Sequence, residues 1–176
     1  MKLINEKGRI IYLFFLLFLL VGIDQVTKFY VSNHLNHYKN YRVIEHIFSL
    51  EYLENTGVAF GMMSGKIILI SATVIFISCL IIYFVYKIER ALKRDINSLK
   101  HYLVIETVCI FILAGAIGNF IDRIRFGFVI DFIKFDFIKF PTFNIADIYV
   151  TLGAFVIFVL IMFFVSDEEF SEVFNK

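Results

Sequence analysis

Carboxylates set among apolar residues are the first feature of this sequence with chemical meaning. Asp131 interrupts Val129-Ile130 and Phe132-Ile133, and Asp147 follows Asn144-Ile145-Ala146 at the head of another apolar run. An ionisable group at membrane depth costs several kcal/mol unless it is paired or solvated, so each one needs a reason. Two carboxylates in partly dry surroundings cannot both ionise cheaply, and they share a proton. One can then activate a water as base while the other, protonated, hydrogen-bonds a scissile carbonyl. That division of labour is the chemistry of an aspartic peptidase.

Other polar groups gather beside these two. Asp24 and Lys28 are four residues apart, so on a helix they share a face. Asn119, Asp122 and Arg123 follow the same i, i+3, i+4 logic, after the small residues Ala114, Gly115, Ala116 and Gly118, which let helix backbones approach closely. Each group also has a plain structural reading. Asp24 with Lys28 is an ion pair bracing a bundle, and Asp122 with Arg123 is an interfacial arginine with its carboxylate partner. Asn144 with Asp147 has the form of a capping box, with the acid favoured by the helix dipole. Asp131 has no helix to cap.

These side chains must be positioned by membrane-spanning elements. The chain has 176 residues, 60% hydrophobic, with 23 Phe, one Pro and no Trp, against roughly half apolar for a soluble domain. The apolar excess gathers into four runs, about 10–31, 66–88, 102–120 and 145–166, near the ~20 residues a helix needs to cross a bilayer core. The first run follows Lys2, Lys7 and Arg9 but has no small-residue cleavage site after it, which predicts a retained signal anchor. Cys79 and Cys109 lie inside apolar runs and act as small hydrophobes. A net charge of +1 offers nothing to nucleic acid.

Orientation follows from the basic residues. Lys87, Arg90, Lys93, Arg94 and Lys100 surround the connection between the second and third runs and, with the basic N-terminus, predict a cytoplasmic side carrying both termini. Segments 33–65 and 121–143 then lie outside, where Arg123, Arg125, Lys134 and Lys139 weaken the bias. Arg42–Tyr52 mixes β-branched, aromatic and charged residues and predicts short strands, with a turn at Asn55-Thr-Gly57. The second outer segment carries a tandem repeat, DFIKF at 131–135 and again at 136–140, so Asp136 competes with Asp131 for one role.

Rival chemistry is thinner. His34, His37 and His46 with Glu45 match no tight zinc spacing and read as loop histidines. Ser64 and Lys66 evoke a Ser–Lys nucleophile, but a serine in a Gly-bounded loop reads as a turn residue. Glu106, near the inner end of the third run, reads as an interfacial or interhelical partner. The main non-enzymatic alternative is a membrane ion-binding or transport protein using the aspartates as ligands.

Five segments, in order from Asp24 to Asp147, resemble the lipoprotein signal peptidases, or signal peptidase II family. They are Asp24-Gln-Val-Thr-Lys28, Asn55-Thr-Gly57-Val-Ala-Phe-Gly61, Gly115-Ala-Ile-Gly118-Asn119-Phe-Ile-Asp122-Arg123, Val129-Ile-Asp131-Phe-Ile133 and Phe143-Asn144-Ile-Ala-Asp147. The resemblance implies a catalytic pair, Asp131 and Asp147. It implies that Asn55, Gly57, Asn119, Arg123 and Asn144 hold substrate or orient the pair, and that Asp24, Lys28 and Asp122 shape the site. It implies an all-α integral membrane fold: four transmembrane helices in one peptidase domain, with a small β-rich extracytoplasmic cradle and a short outer helix. The implied substrate is a prolipoprotein whose cysteine carries a diacylglyceryl group, cut on the N-terminal side of that cysteine at the outer face of a bacterial plasma membrane. Membrane lipids are the other expected partners, with a monomer and no metal or cofactor. Ala114, where a Gly-Gly pair is frequent, is a departure of small consequence.

Overall fold

The computed structural model describes residues 6–35, 40–57, 65–93 and 100–174. The chain order is α1 (Glu6–His34), β1 (Tyr41–Ile44), β2 (Phe48–Asn55), α2 (Ile67–Leu92), α3 (Lys100–Phe126), β3 (Val129–Phe135), α4 (Ile145–Phe163) and α5 (Asp167–Phe174). Four of these helices are long and apolar enough to cross a membrane: Lys7–His34, Ile67–Leu92, His101–Phe126 and Ile145–Phe163. They run beyond the apolar stretches at several ends, because a helix propagates into polar flanks once its core turns are formed. The largest extension carries α3 through Asp122 and Arg123 to Phe126, so the first residues of segment 121–143 are helical.

The helix α3 is the hub, packed against α1, α2 and α4. Ile105, Cys109, Ile110, Leu113 and Ala114 are buried along it, whereas Phe14, Phe15 and Phe18 of α1 and Phe155 and Phe158 of α4 face outward. Outward aromatics suit helices whose far side meets lipid, where an apolar surface costs nothing. Two glycines set the closest approaches. A Cβ on Gly115 would run into the Ala146 carbonyl, and one on Gly118 into the Asp24 carboxylate. Ala114 is fully buried, so its methyl is accommodated.

The three strands form one antiparallel sheet in the order β1-β2-β3. Leu50 pairs with Ile133 and Asn55 with Val129, with a register shift between Leu50 and Leu53. The sheet caps one end of the bundle through Val31, Ile130 and Phe132, with Leu35, Leu50 and Ile145 against them. At the opposite end Ile88, Leu92, Tyr102, Ile105, Cys109 and Val173 form a second core, closed by α5.

That last helix departs from the sequence reading, which carried the fourth run to 166. Ser166 instead opens α5: its Oγ accepts from the Glu169 amide at 3.2 Å, and Glu169 Oε2 accepts from the Ser166 amide at 3.1 Å. This reciprocal cap stops α4 at Phe163 and starts a new helix. The described parts of the outer segments hold no short outer helix, and residues 36–39 and 58–64 lie outside the described set.

Candidate active site

Three elements meet beneath the sheet: the end of α3, the strand β3 and the start of α4. The acid Asp131 sits on β3, 1% exposed, in the middle of a strand buried from Val129 to Phe132. Its Oδ2 accepts from the Asn55 side-chain amide at 2.8 Å and its Oδ1 from that of Asn144 at 2.7 Å. Asp147 occupies the third position of α4 and is half-buried. Its Oδ1 accepts from the Asn119 amide at 2.8 Å and its Oδ2 from the Asn144 backbone amide at 3.1 Å.

Asn144 therefore touches both acids. It caps α4 by accepting from the Asp147 amide at 3.0 Å, and its side-chain nitrogen reaches Asp131, Asn119 Oδ1 (3.0 Å) and the Ile130 carbonyl (3.3 Å). The capping reading and the site reading of Asn144-x-x-Asp147 are thus both realised, by one residue using different atoms.

Behind the acids lies a buried ion cluster. The Lys28 ammonium has three N–H groups and three oxygen partners: Asn119 Oδ1 at 2.8 Å, Asp122 at 2.9 Å and Asp24 at 3.0 Å. A lysine 2% exposed is tolerable only when satisfied in this way. Asp24 reaches across to accept from the Ala146 amide of α4 at 3.1 Å, and Asp122 accepts from the Ile130 amide at 3.2 Å. Arg123 donates to the Asn119 carbonyl at 3.2 Å and to the Gly57 carbonyl at 3.0 Å, pinning the turn that Asn55 closes by accepting from the Gly57 amide at 2.9 Å.

Electrostatics divide the carboxylates. Lys28 contacts Asp24 and Asp122 and contacts neither Asp131 nor Asp147. Burial pushes the Asp131 carboxyl up to about 7, the nearby Asp147 charge adds to the rise, and the Asn55 and Asn144 amides oppose it. With its carboxyl raised in this way, Asp131 is suited to carry a proton in the reaction.

The tandem repeat resolves because only its first copy is strand. The strand β3 ends at Phe135, so Asp131 lies within it and Asp136 just past its end, five residues on and out of phase with the two-residue alternation. Asp136 is exposed and accepts from Ser49 Oγ at 2.9 Å. Lys134, two residues before it, pairs with Glu51 at 2.8 Å.

The remaining candidates are scattered. His34 stacks on Tyr30 at the end of α1, and His46 occupies the β1–β2 turn with φ 61°; His37 and Ser64 lie outside the described residues. Glu106 is an interhelical partner, 3.6 Å from Arg9 of α1. One site residue had escaped notice: Gln25, whose amide donates to Asp122 at 3.0 Å and to Asp24 and the Gly118 carbonyl at 3.2 Å each. The signal was an amide beside an acid in an apolar helix.

Fold and site together define a multi-pass membrane protein with an amide-bridged pair of aspartates, one buried and one half-buried, at one end of its bundle. The family profile described as signal peptidase (SPase) II matches residues 16–164. A lipoprotein signal peptidase of Caldanaerobacter subterraneus subsp. tengcongensis is 39% identical over 144 residues, 81% of this chain and 90% of that protein. One from Enterococcus faecalis is 35% identical, covering 88% of this chain and 90% of its own length. A bacterial membrane enzyme solved by the in meso method at 2.3 Å superposes with a TM-score of 0.73 at 30% identity, over 86% of this chain and 87% of that one. This chain belongs to the signal peptidase II family. It is a multi-pass bacterial membrane peptidase, a hydrolase, which displaces the ion-binding or transport alternative.

Proposed function

We propose that this protein is an aspartic endopeptidase that removes the signal peptide from prolipoproteins carrying a diacylglyceryl cysteine, cutting on the N-terminal side of that cysteine. The observation that carries the reading is Asn144, which hydrogen-bonds Asp131 with its side chain and Asp147 with its backbone amide. It holds two acids as a unit. Asp131, protonated, donates to the scissile carbonyl oxygen, and Asp147 takes a proton from the attacking water. Water oxygen bonds to the carbonyl carbon, the C–N bond breaks, and the departing amine leaves with the proton. Asn55, Asn119 and Asn144 orient the acids, and Arg123 holds the Gly57 turn beside them.

The substrate class is that of the relatives' names, and physics favours it: acyl chains stay in the membrane and keep the bond at the depth of the site. Lys7, Arg9, Arg90 and Lys93, at the end away from the sheet, support cytoplasmic termini and a site on the outer face. The acids and the amides that hold them all come from one copy, which supports a monomer as the working unit. The test is cleavage of a lipidated prolipoprotein by reconstituted protein, with and without Asp147→Asn. The wild type should release the signal peptide, ignore an unlipidated precursor and be insensitive to chelators. A folded Asp147→Asn should lose ~10²–10⁴ in rate or more, and near-wild-type turnover by it would refute the assignment.

A further inference from the structure

The second copy of the repeat is the motif that the peptidase reading leaves unused. It leaves the strand at Asp136, whose amide donates to the Ile47 carbonyl at 3.0 Å, and folds back until Phe143 pairs with Ile133. Phe135, Phe140 and Phe143 pack together, with ring centroids 5.3 Å apart for Phe135–Phe143 and 5.7 Å for Phe140–Phe143. Phe137 rests on Phe135 at 5.6 Å. This base holds the tip outward: Phe137 is 60% exposed, Ile138 and Phe140 each 47%, with Lys139 exposed between them.

The length of α4 fixes where that tip lies. Its 19 residues span ~28 Å, against a hydrocarbon core of ~30 Å, which leaves almost no overhang. Its first residue therefore stands at the hydrocarbon boundary, and Phe143 is the residue before its cap. The tip packed on Phe143 is thus at headgroup height, where aromatic and lysine side chains are favoured. We propose that residues 137–140 are a membrane-interface anchor, with Phe137, Ile138 and Phe140 entering the headgroup–acyl boundary and Lys139 meeting the phosphate of anionic lipid. Because the anchor continues β3, it helps set the depth of Asp131 at the interface. The inference rests on α4 spanning the membrane and is independent of which residues catalyse.

The chain has no tryptophan and nine tyrosines, so Phe137→Trp supplies a single tryptophan in the otherwise complete protein, excited at the red edge where tyrosine does not absorb. It is reconstituted in phosphatidylcholine vesicles, with and without phosphatidylglycerol, containing lipids brominated at the upper acyl carbons. We expect blue-shifted emission, strong quenching by bromine and little by aqueous iodide. Adding Lys139→Glu should cut lipid-side burial about fivefold in the anionic vesicles, the order expected for one lysine at such a surface, and leave the zwitterionic ones nearly unchanged. Red-shifted emission, quenched by iodide and untouched by bromine, would overturn the anchor and show a tip free for a protein partner. Equal effects of Lys139→Glu in both vesicle types would overturn the phosphate contact.

Discussion

Two buried ion clusters lie toward opposite ends of the same bundle and are built from the same kinds of charge. Beneath the sheet are Lys28, Asp24 and Asp122, continued to Asp131 and Asp147; at the other end Arg9 of α1 meets Glu89 of α2 and Glu106 of α3. They differ in what lies between the charges. At the sheet end all eight oxygens of the four aspartates accept a hydrogen bond, and the amides of Gln25, Asn55, Asn119 and Asn144 supply most of the donors. At the other end Arg9 engages both oxygens of Glu89, but Glu106 Oε1 is buried with no partner. Neutral amides turn a set of buried charges into a preorganised arrangement, because they fix each carboxylate without neutralising it. The described contacts of the Arg9 cluster are charge to charge, and they tie three helices together.

The largest expected departure comes from the cation at the centre of the site. Lys28→Met should leave Asp24 and Asp122 buried without their charge partner, costing ~3–5 kcal/mol, and should abolish cleavage as Asn119 loses its anchor. Thermal unfolding and turnover in the same lipid mixture measure both; a stable, active variant would mean that the network is dispensable. At the other end, Arg9→Met should lower stability by a similar ~3–5 kcal/mol, while the folded fraction keeps its turnover per molecule. Loss of specific activity in that fraction would erase the distinction between the two clusters.

Acidity supplies a smaller contrast. Asp131 is held above its usual range, so the native state keeps a proton that the unfolded chain loses near pH 4. Its sign is that of a raised acid: stability from this group is greatest at low pH and declines as pH climbs toward about 7. Activity, needing that proton, should fall above about 7. A rate that stays flat well above that pH would place the proton elsewhere. The smallest effect on turnover is expected from Glu106→Gln, which lies at the far end from the paired aspartates and leaves Oε1, already without a partner, as an amide atom; turnover should stay within a few-fold.

Much of this site was legible because charges in apolar runs are conspicuous and helical spacing groups them. Asp24 with Lys28, and Asn119 with Asp122 and Arg123, lie on shared faces as i, i+4 logic requires. The illegible part is long-range. No local pattern says that Asp24 accepts from the amide of Ala146, or that Arg123 ends on the Gly57 carbonyl. The first needs Gly118, where a Cβ would run into the Asp24 carboxylate, and the second joins α3 to the turn after β2. The cap at Ser166 was written in the sequence as Ser-x-x-Glu, but the apolar run before it masked the break. The repeat was readable as a repeat, whereas the end of the strand between its two copies needed the structure.

That difference between the copies gives the most direct test of the central claim, that the bridged pair of Asp131 and Asp147 is the catalytic unit. Asp131→Asn and Asp136→Asn change the same atom at the head of identical pentapeptides, one buried within β3 and one exposed just past its end. Both are compared at matched expression on a lipidated prolipoprotein. Asp131→Asn should be inactive while still folded and inserted. Asp136→Asn should stay within a few-fold of wild type, since an exposed carboxylate contributes little. An active Asp131→Asn beside an inactive Asp136→Asn would contradict the account.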